Sequence, residues 1–167
     1  MGEDSSRRED LTLGRDAFLT RVEAVVDPSY RLATVMLLDY AAAEDAVHGA
    51  TMRAWRQYRR LGGEVTNFRT WFLAIVANHC RRLRWRRPLA PRRRREGLVR
   101  SGDGIRDAIL RLPVGTRAAL FCFYFLDLPL DEVAHVLRQP PARVRTRVYR
   151  ASDRLQPRHG RGENPVA

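Results

Sequence analysis

Apolar residues recur along this chain at three- and four-residue spacing and nowhere alternate one in two, which confines the fold to helices. Phe18, Val22, Val25 and Val26 fall on one helical stripe, and Leu32, Val35, Met36 and Leu38 form a second after Pro28. Val47, Ala50, Thr51, Ala54, Trp55 and Tyr58 make a third, ended by Gly62-Gly63. A fourth starts near Asn67 or Thr70 and runs through Phe72, Ile75, Val76, His79 and Leu83. A strand buried on one face needs period-two alternation, so the expected fold class is all-α.

The periodicity stops at Arg87. From Pro88 to Gly104 the chain holds two prolines, the run Arg92-Arg93-Arg94-Arg95 and a Gly-rich end. This stretch is expected to be a flexible linker between two helical domains, residues 11–87 and 105–158. Its arginines fit a phosphate contact, a localisation-like patch or a solvated spacer equally. Beyond it, Ile105–Leu112 reads as a short amphipathic helix stopped by Pro113. Val114–Leu126, with Ala118, Ala119, Leu120, Phe121, Phe123, Tyr124 and Phe125, reads as a buried central helix. Leu130–Leu137, the turn Arg138-Gln139-Pro140 and Pro141–Leu155 then describe a helix-turn-helix. Pro141 suits a first helical position, where its missing N–H costs nothing. The first ten residues and the tail from Pro157 to Ala167 are expected to be disordered.

Charge narrows the function. The 167 residues carry 31 basic residues, all arginine, against 19 acids, a formal net charge of +12. A GC-rich coding sequence accounts for the missing lysine but not for the excess charge, which calls for a polyanionic partner. The charge is uneven: residues 1–40 carry −3, 41–87 carry +7, 88–104 carry +3 and 105–167 carry +5. No apolar run approaches the roughly 18 residues a membrane span needs, and the N-terminus is polar, so no membrane contact is expected and a reducing cytoplasm is the default. Cys80 and Cys122 have no CxxC partner and no clustered His, so neither a metal nor a disulfide framework is expected. The four scattered His, with no nucleophile elbow or phosphate loop, give no catalytic constellation, and no cofactor is expected.

Two segments suit nucleic acid. In Asn78-His79-Cys80-Arg81-Arg82-Leu83-Arg84-Trp85-Arg86-Arg87 cations surround an aromatic ring, with Phe68 and Trp71 upstream. Cations follow phosphates and flat rings stack unpaired bases, which suits a single strand. Trp55 and Phe72 are expected in the core, while Trp85 is open to either role. In Pro141–Leu155, at 100° per residue, Val144, Val148, Ala151 and Leu155 share the packing face. Ala142, Thr146, Tyr149 and Asp153 lie opposite, flanked by Arg143, Arg147, Arg150 and Arg154 on one side and Arg145 on the other. Such a helix reads base edges from its middle and grips phosphates from its sides.

Together these strings resemble the extracytoplasmic-function sigma factors, small bacterial relatives of sigma-70. The N-terminal carriers are Ala43-Glu44-Asp45-Ala46-Val47, Arg53-Ala54-Trp55, Phe68-Arg69-Thr70-Trp71-Phe72 and Ile75-Val76-Ala77-Asn78. The C-terminal ones are Leu110-Arg111-Leu112-Pro113, Asp131-Glu132-Val133-Ala134 and Val144-Arg145-Thr146-Arg147-Val148-Tyr149-Arg150-Ala151. The resemblance implies a protein that brings core RNA polymerase to promoters and helps melt them. It places Glu44, Asp45, Val47, His48 and Trp55 on the β′ clamp helices, with the β flap as a second polymerase contact and an anti-sigma protein as a possible regulator. It gives Leu61, Gly62, Gly63 and Asn67 the capture of a flipped minus-ten base, and Phe68, Trp71, Asn78, Arg81, Arg82 and Trp85 the melted strand. It gives Arg143, Arg145, Thr146, Arg147, Tyr149 and Arg150 the minus-thirty-five element.

Three departures stand out. His48-Gly49-Ala50-Thr51 replaces the family's usual Gln, acid, Thr and aromatic, losing polar groups on the docking helix and setting Gly mid-helix at about 1 kcal/mol. Arg138 sits where the family favours Gly in a left-handed turn position, and Arg82 replaces a frequent acid. They leave open an alternative: a degenerate sigma-like DNA-binding regulator with weakened or accessory-dependent polymerase docking. A plain structural or RNA-binding protein is a further reading.

Overall fold

The computed structural model describes residues 3–86 and 104–155. The expected linker from 88 to 103 and the tail from Pro157 lie outside the described residues. These form seven helices, α1 (Glu3–Leu37), α2 (Tyr40–Arg60), α3 (Phe68–Arg86), α4 (Gly104–Arg111), α5 (Val114–Tyr124), α6 (Leu130–Leu137) and α7 (Pro141–Leu155), with no strand among them. The all-α reading holds, as does the helix-turn-helix of α6 and α7.

Helix α1 corrects two expectations. Its backbone is helical from Glu3, so most of the first ten residues, expected to be disordered, extend a helix. It also runs through Pro28 rather than splitting there. The ring removes one backbone donor, but Phe18, Val22 and Val25 before it and Leu32, Ala33 and Met36 after it are buried in one core. Burial on both sides of the defect holds the helix together. Buried Ser29 donates to the Val25 carbonyl at 2.7 Å beside it. The helix stops at Leu38, whose φ of 55° is left-handed.

Asp39 caps α2 by accepting the Ala42 N–H at 3.1 Å. Ala42, Ala43, Ala46, Val47, Ala50, Ala54 and Tyr58 then form its buried stripe, mostly small enough for close approach to α1 and α3. Phe18 gathers the bulkier groups, with ring centroids 5.2 Å from Trp55, 5.2 Å from Tyr58 and 5.9 Å from Phe68.

The C-terminal helices close around Ala118, Ala119, Cys122, Val133, Val136, Val144 and Val148. The expectation that the apolar string of α5 is buried throughout is corrected, since Tyr124 is exposed and Phe125 is 71% exposed. The helix packs against α1, α6 and α7 through Arg117, Ala118, Ala119, Leu120 and Cys122, and Tyr124 and Phe125 at its C-terminal end lie beyond those contacts. Phe121 stacks on Phe125 at 5.5 Å instead.

The two halves pack on each other, α3 against α6 and α1 against α5. Arg117 pins the second seam and is only 3% exposed. Its guanidinium donates to Val35 at 2.5 Å and Met36 at 3.5 Å in the last turn of α1, and to Leu110 at 3.0 Å and Leu112 at 2.9 Å at the end of α4. A cation suits these sites because helix C-termini hold unpaired carbonyls and partial negative charge.

Candidate nucleic-acid and polymerase interface

Helix α7 begins at Pro141 and buries Val144, Val148 and Ala151. Arg143, Arg145, Thr146, Tyr149 and Arg150 are exposed on the remaining surface. Arg147 departs from them: it is half-buried, donates to Gln139 Oε1 at 2.5 Å and lies against Gly115, where an added Cβ would stand 2.7 Å from its Nη1. It fastens α7 to the turn and to α5. Thr116, Arg143, Thr146, Arg150 and Arg154 line an open groove of about 590 Å³ beside it, a cationic trough suited to phosphate. In the turn, Arg138 adopts φ 48° and ψ 53°, the left-handed position expected to favour Gly. The Gln139 N–H closes the turn on the Ala134 carbonyl at 3.0 Å.

The second surface runs from the loop 61–67 along α3. Leu61, Gly62 and Asn67 are exposed and Gly63 is partly so. Gly62 and Gly63 have φ of 61° and 82°, a left-handed pair that reverses the chain without strain. Asn67 caps α3, its Oδ1 accepting the Thr70 N–H at 3.1 Å. Phe68 leaves the expected strand-contacting set: it is buried, stacked on Phe72 at 5.8 Å, and its ring belongs to the core. Trp71 and Asn78 are half-buried and Arg82 is exposed. Trp85, open to either role in the sequence, is 91% exposed and lies outside the core.

Part of this face lies under α6. Thr70 Oγ1 hydrogen-bonds to Glu132 Oε2, Arg69 donates to the Leu126 carbonyl at 2.8 Å, and Arg81 donates to the Leu137 carbonyl. Trp71 borders a crevice of about 600 Å³ between the halves, facing Asp131, His135 and Arg138. Arg81 is depressed below the ordinary arginine range by burial first and by the charge of Arg138 second. The seam thus brings two cations together, a cost that its hydrogen bonds must outweigh.

On α2, Glu44, Asp45 and His48 are exposed, whereas Val47 is buried and Trp55 is half-buried against Phe18. Val47 therefore leaves the docking set, because its spacing puts it on the same inward stripe as Ala43 and Ala50. Gly49 has a packing reason: a Cβ there would stand 2.8 Å from Nε2 of His79 on α3. Its absent side chain makes room for His79 rather than thinning an exposed surface. Cys80 and Cys122 are buried, and burial pushes both thiols up to about 12, so they persist as inert thiols.

Sequence reasoning misses four residues that matter to this geometry: Arg21, Thr70, Arg117 and Glu132. Thr70 and Glu132 stand in the family strings without a contact assigned to them, and Arg117 leaves a trace as a charge set in the apolar run 114–126.

These features define a two-part helical protein with one exposed helix-turn-helix surface and one arginine- and tryptophan-bearing helix end. Family comparison agrees: the model for Sigma-70 region 2 matches residues 21–88 and that for Sigma-70 region 4 matches residues 103–155. The chain belongs to the sigma-70 family, a family of transcription regulators. Among solved structures it resembles the sigma factor RpoE from Bartonella quintana, in a co-crystal with the anti-sigma factor NepR, at 20% identity and a TM-score of 0.64, over 83% of this chain and 94% of that one. No curated protein matches. No described helix is long and apolar enough to cross a membrane.

Proposed function

We propose that this protein binds core RNA polymerase in the cytoplasm and directs it to promoters. Residues 11–87 act as the region-two domain and 105–158 as the region-four domain. Helix α7 reads a minus-thirty-five element through Arg143, Arg145, Thr146, Tyr149 and Arg150, with Arg147 holding the helix in place. The loop 61–67 receives a flipped minus-ten base, and Asn78, Arg82 and Trp85 follow the melted strand. Glu44, Asp45 and His48 are the exposed groups left to meet the β′ clamp, with the β flap as second contact. The observation that carries the reading is α7 itself, whose apolar edge is buried while Arg143, Arg145, Arg150 and Arg154 stay exposed. An anti-sigma protein is a further proposed partner, since the structural neighbour is held by one.

The two promoter elements lie far apart on a duplex, so engaging both requires the halves to part. Opening breaks the Thr70–Glu132, Arg69–Leu126, Arg81–Leu137 and Arg117–Val35 contacts and frees Arg81 and Trp71 for the strand.

The buried Val47 supports a second reading, a regulator with weakened polymerase docking, because it removes an apolar contact from the docking set. The Gly49–His79 fit counts the other way, since it explains one departure without loss of surface. Co-elution with bacterial core polymerase, followed by transcription from genomic fragments, separates the two. Co-elution with specific initiation is expected; DNA binding without polymerase association favours the second reading.

A further inference from the structure

We propose that Arg21, on α1, is the positioning residue that sets the shape of the loop 61–67. The proposal deepens the reading of that loop as a base receptor and rests on it. The ends of the loop are held by the helices they leave. At the start, the Gly63 N–H donates to the Tyr58 carbonyl at 3.0 Å and the Glu64 N–H to the Leu61 carbonyl at 3.1 Å. At the finish, Asn67 accepts from Thr70 through its side chain and from Trp71, at 3.0 Å, through its carbonyl. Val65 lies between these two sets, and Arg21 reaches it from 44 positions away, donating from Nη2 to its carbonyl at 2.7 Å.

The guanidinium is itself fixed by rings. Its Cζ lies 4.7 Å from the Phe68 centroid and 6.0 Å from that of Tyr58, the residues that flank the loop. No carboxylate among the described residues pairs with it; two π faces and one carbonyl offset its charge. A planar cation can lie on a ring while a nitrogen at its edge donates, which a point-charge ammonium cannot do equally well. Phe68 thus gains a role different from the base stacking expected of it: it is the platform for the residue that holds the loop. A loop pinned at its middle before DNA arrives loses less freedom on binding, and its selectivity sharpens accordingly.

The test uses the full chain with Arg21→Met, which keeps the stem, and Arg21→Lys, which keeps the charge. Hydrogen exchange at the Gly63 and Glu64 amides is expected to rise about tenfold in the Met variant and about threefold in the Lys variant, with α2 and α3 still protected. Selection from a single-stranded DNA pool with randomised positions then reads base preference. The native chain is expected to enrich one base at one position, and the Met variant to flatten that enrichment about three- to tenfold, with Lys between them. Native loop exchange or native enrichment in the Met variant overturns the proposal. So does an equal loss of affinity for every oligonucleotide, which makes Arg21 a phosphate contact. Should the Met variant fail to fold, the Lys variant decides, and unchanged loop exchange overturns the proposal. If the native chain enriches no base, the minus-ten reading fails, while the exchange data still judge the hold of Arg21 on the loop.

Discussion

Helices α3 and α7 are both rich in arginine, yet they use it differently. On α7, Arg143, Arg145, Arg150 and Arg154 are exposed, and only Arg147 is tied to the protein. On α3, Arg69 donates to Leu126 just past α5, Arg81 to Leu137 at the end of α6, and Arg84 to Met36 at 3.2 Å near the end of α1. Arg117 repeats the device from α5. Each of these acceptors lies at or just beyond the C-terminal turn of a helix, where carbonyls lack intrahelical partners and a five-donor guanidinium can serve several of them. Counting arginines therefore does not locate a nucleic-acid surface. What separates the two helices is whether helix C-termini lie within reach.

Several measurements would break or sharpen this contrast. The largest effect is expected from Arg117→Met, which strips a buried cation from four carbonyls. It should lower unfolding free energy by about 3 kcal/mol in urea titrations, and Arg117→Lys should not restore it, because an ammonium cannot span the fork. On α7, Arg145→Ala and Arg150→Ala should each weaken selected duplex sites by about 1–3 kcal/mol while leaving nonspecific binding nearly intact. A uniform loss across all sequences, with a shallower salt dependence, would make them phosphate contacts instead. Trp85→Ala should cost about 1–3 kcal/mol toward a single-stranded oligonucleotide and little toward duplex. Equal loss on both would remove the base-stacking role.

The seam itself gives smaller effects of opposite sign. Glu132→Gln and Thr70→Val loosen the cover on α3, and each should tighten single-strand binding by about 1 kcal/mol, seen in fluorescence anisotropy. Unchanged affinity would mean that α6 and the strand do not compete. Arg138→Gly relieves a left-handed arginine and the repulsion with Arg81, and should raise stability by about 1 kcal/mol.

Much of this architecture is legible in the sequence. The helix-turn-helix boundaries, Leu130–Leu137 and Pro141–Leu155, follow from a short apolar repeat, a proline at a first helical position and the periodicity of Val144, Val148 and Ala151. The left-handed turn position of Arg138 is legible only through the family resemblance, which places Gly there, since an arginine does not itself mark such a position. Sequence reasoning misplaces residues where a distant neighbour decides the outcome. Phe68 sits inside because α1 lays Phe18 and Arg21 against it. Gly49 resembles a defect along the chain, and only His79 across the helix interface gives it a purpose. Pro28 resembles a boundary, since the core that carries a helix through it is contributed by other elements.

The sequence by itself determined the helices, the two basic surfaces and the family, because each rests on residues close together in the chain or on a pattern repeated within one element. Tertiary structure alone decided which arginines face solvent and which close the seam between the halves. It also decided how the loop 61–67 is held, by a side chain 44 residues away from Val65. The physical reason is the same in both cases. A guanidinium has no preferred partner encoded beside it, and it bonds to whichever unsatisfied carbonyls the packing of distant helices brings within reach.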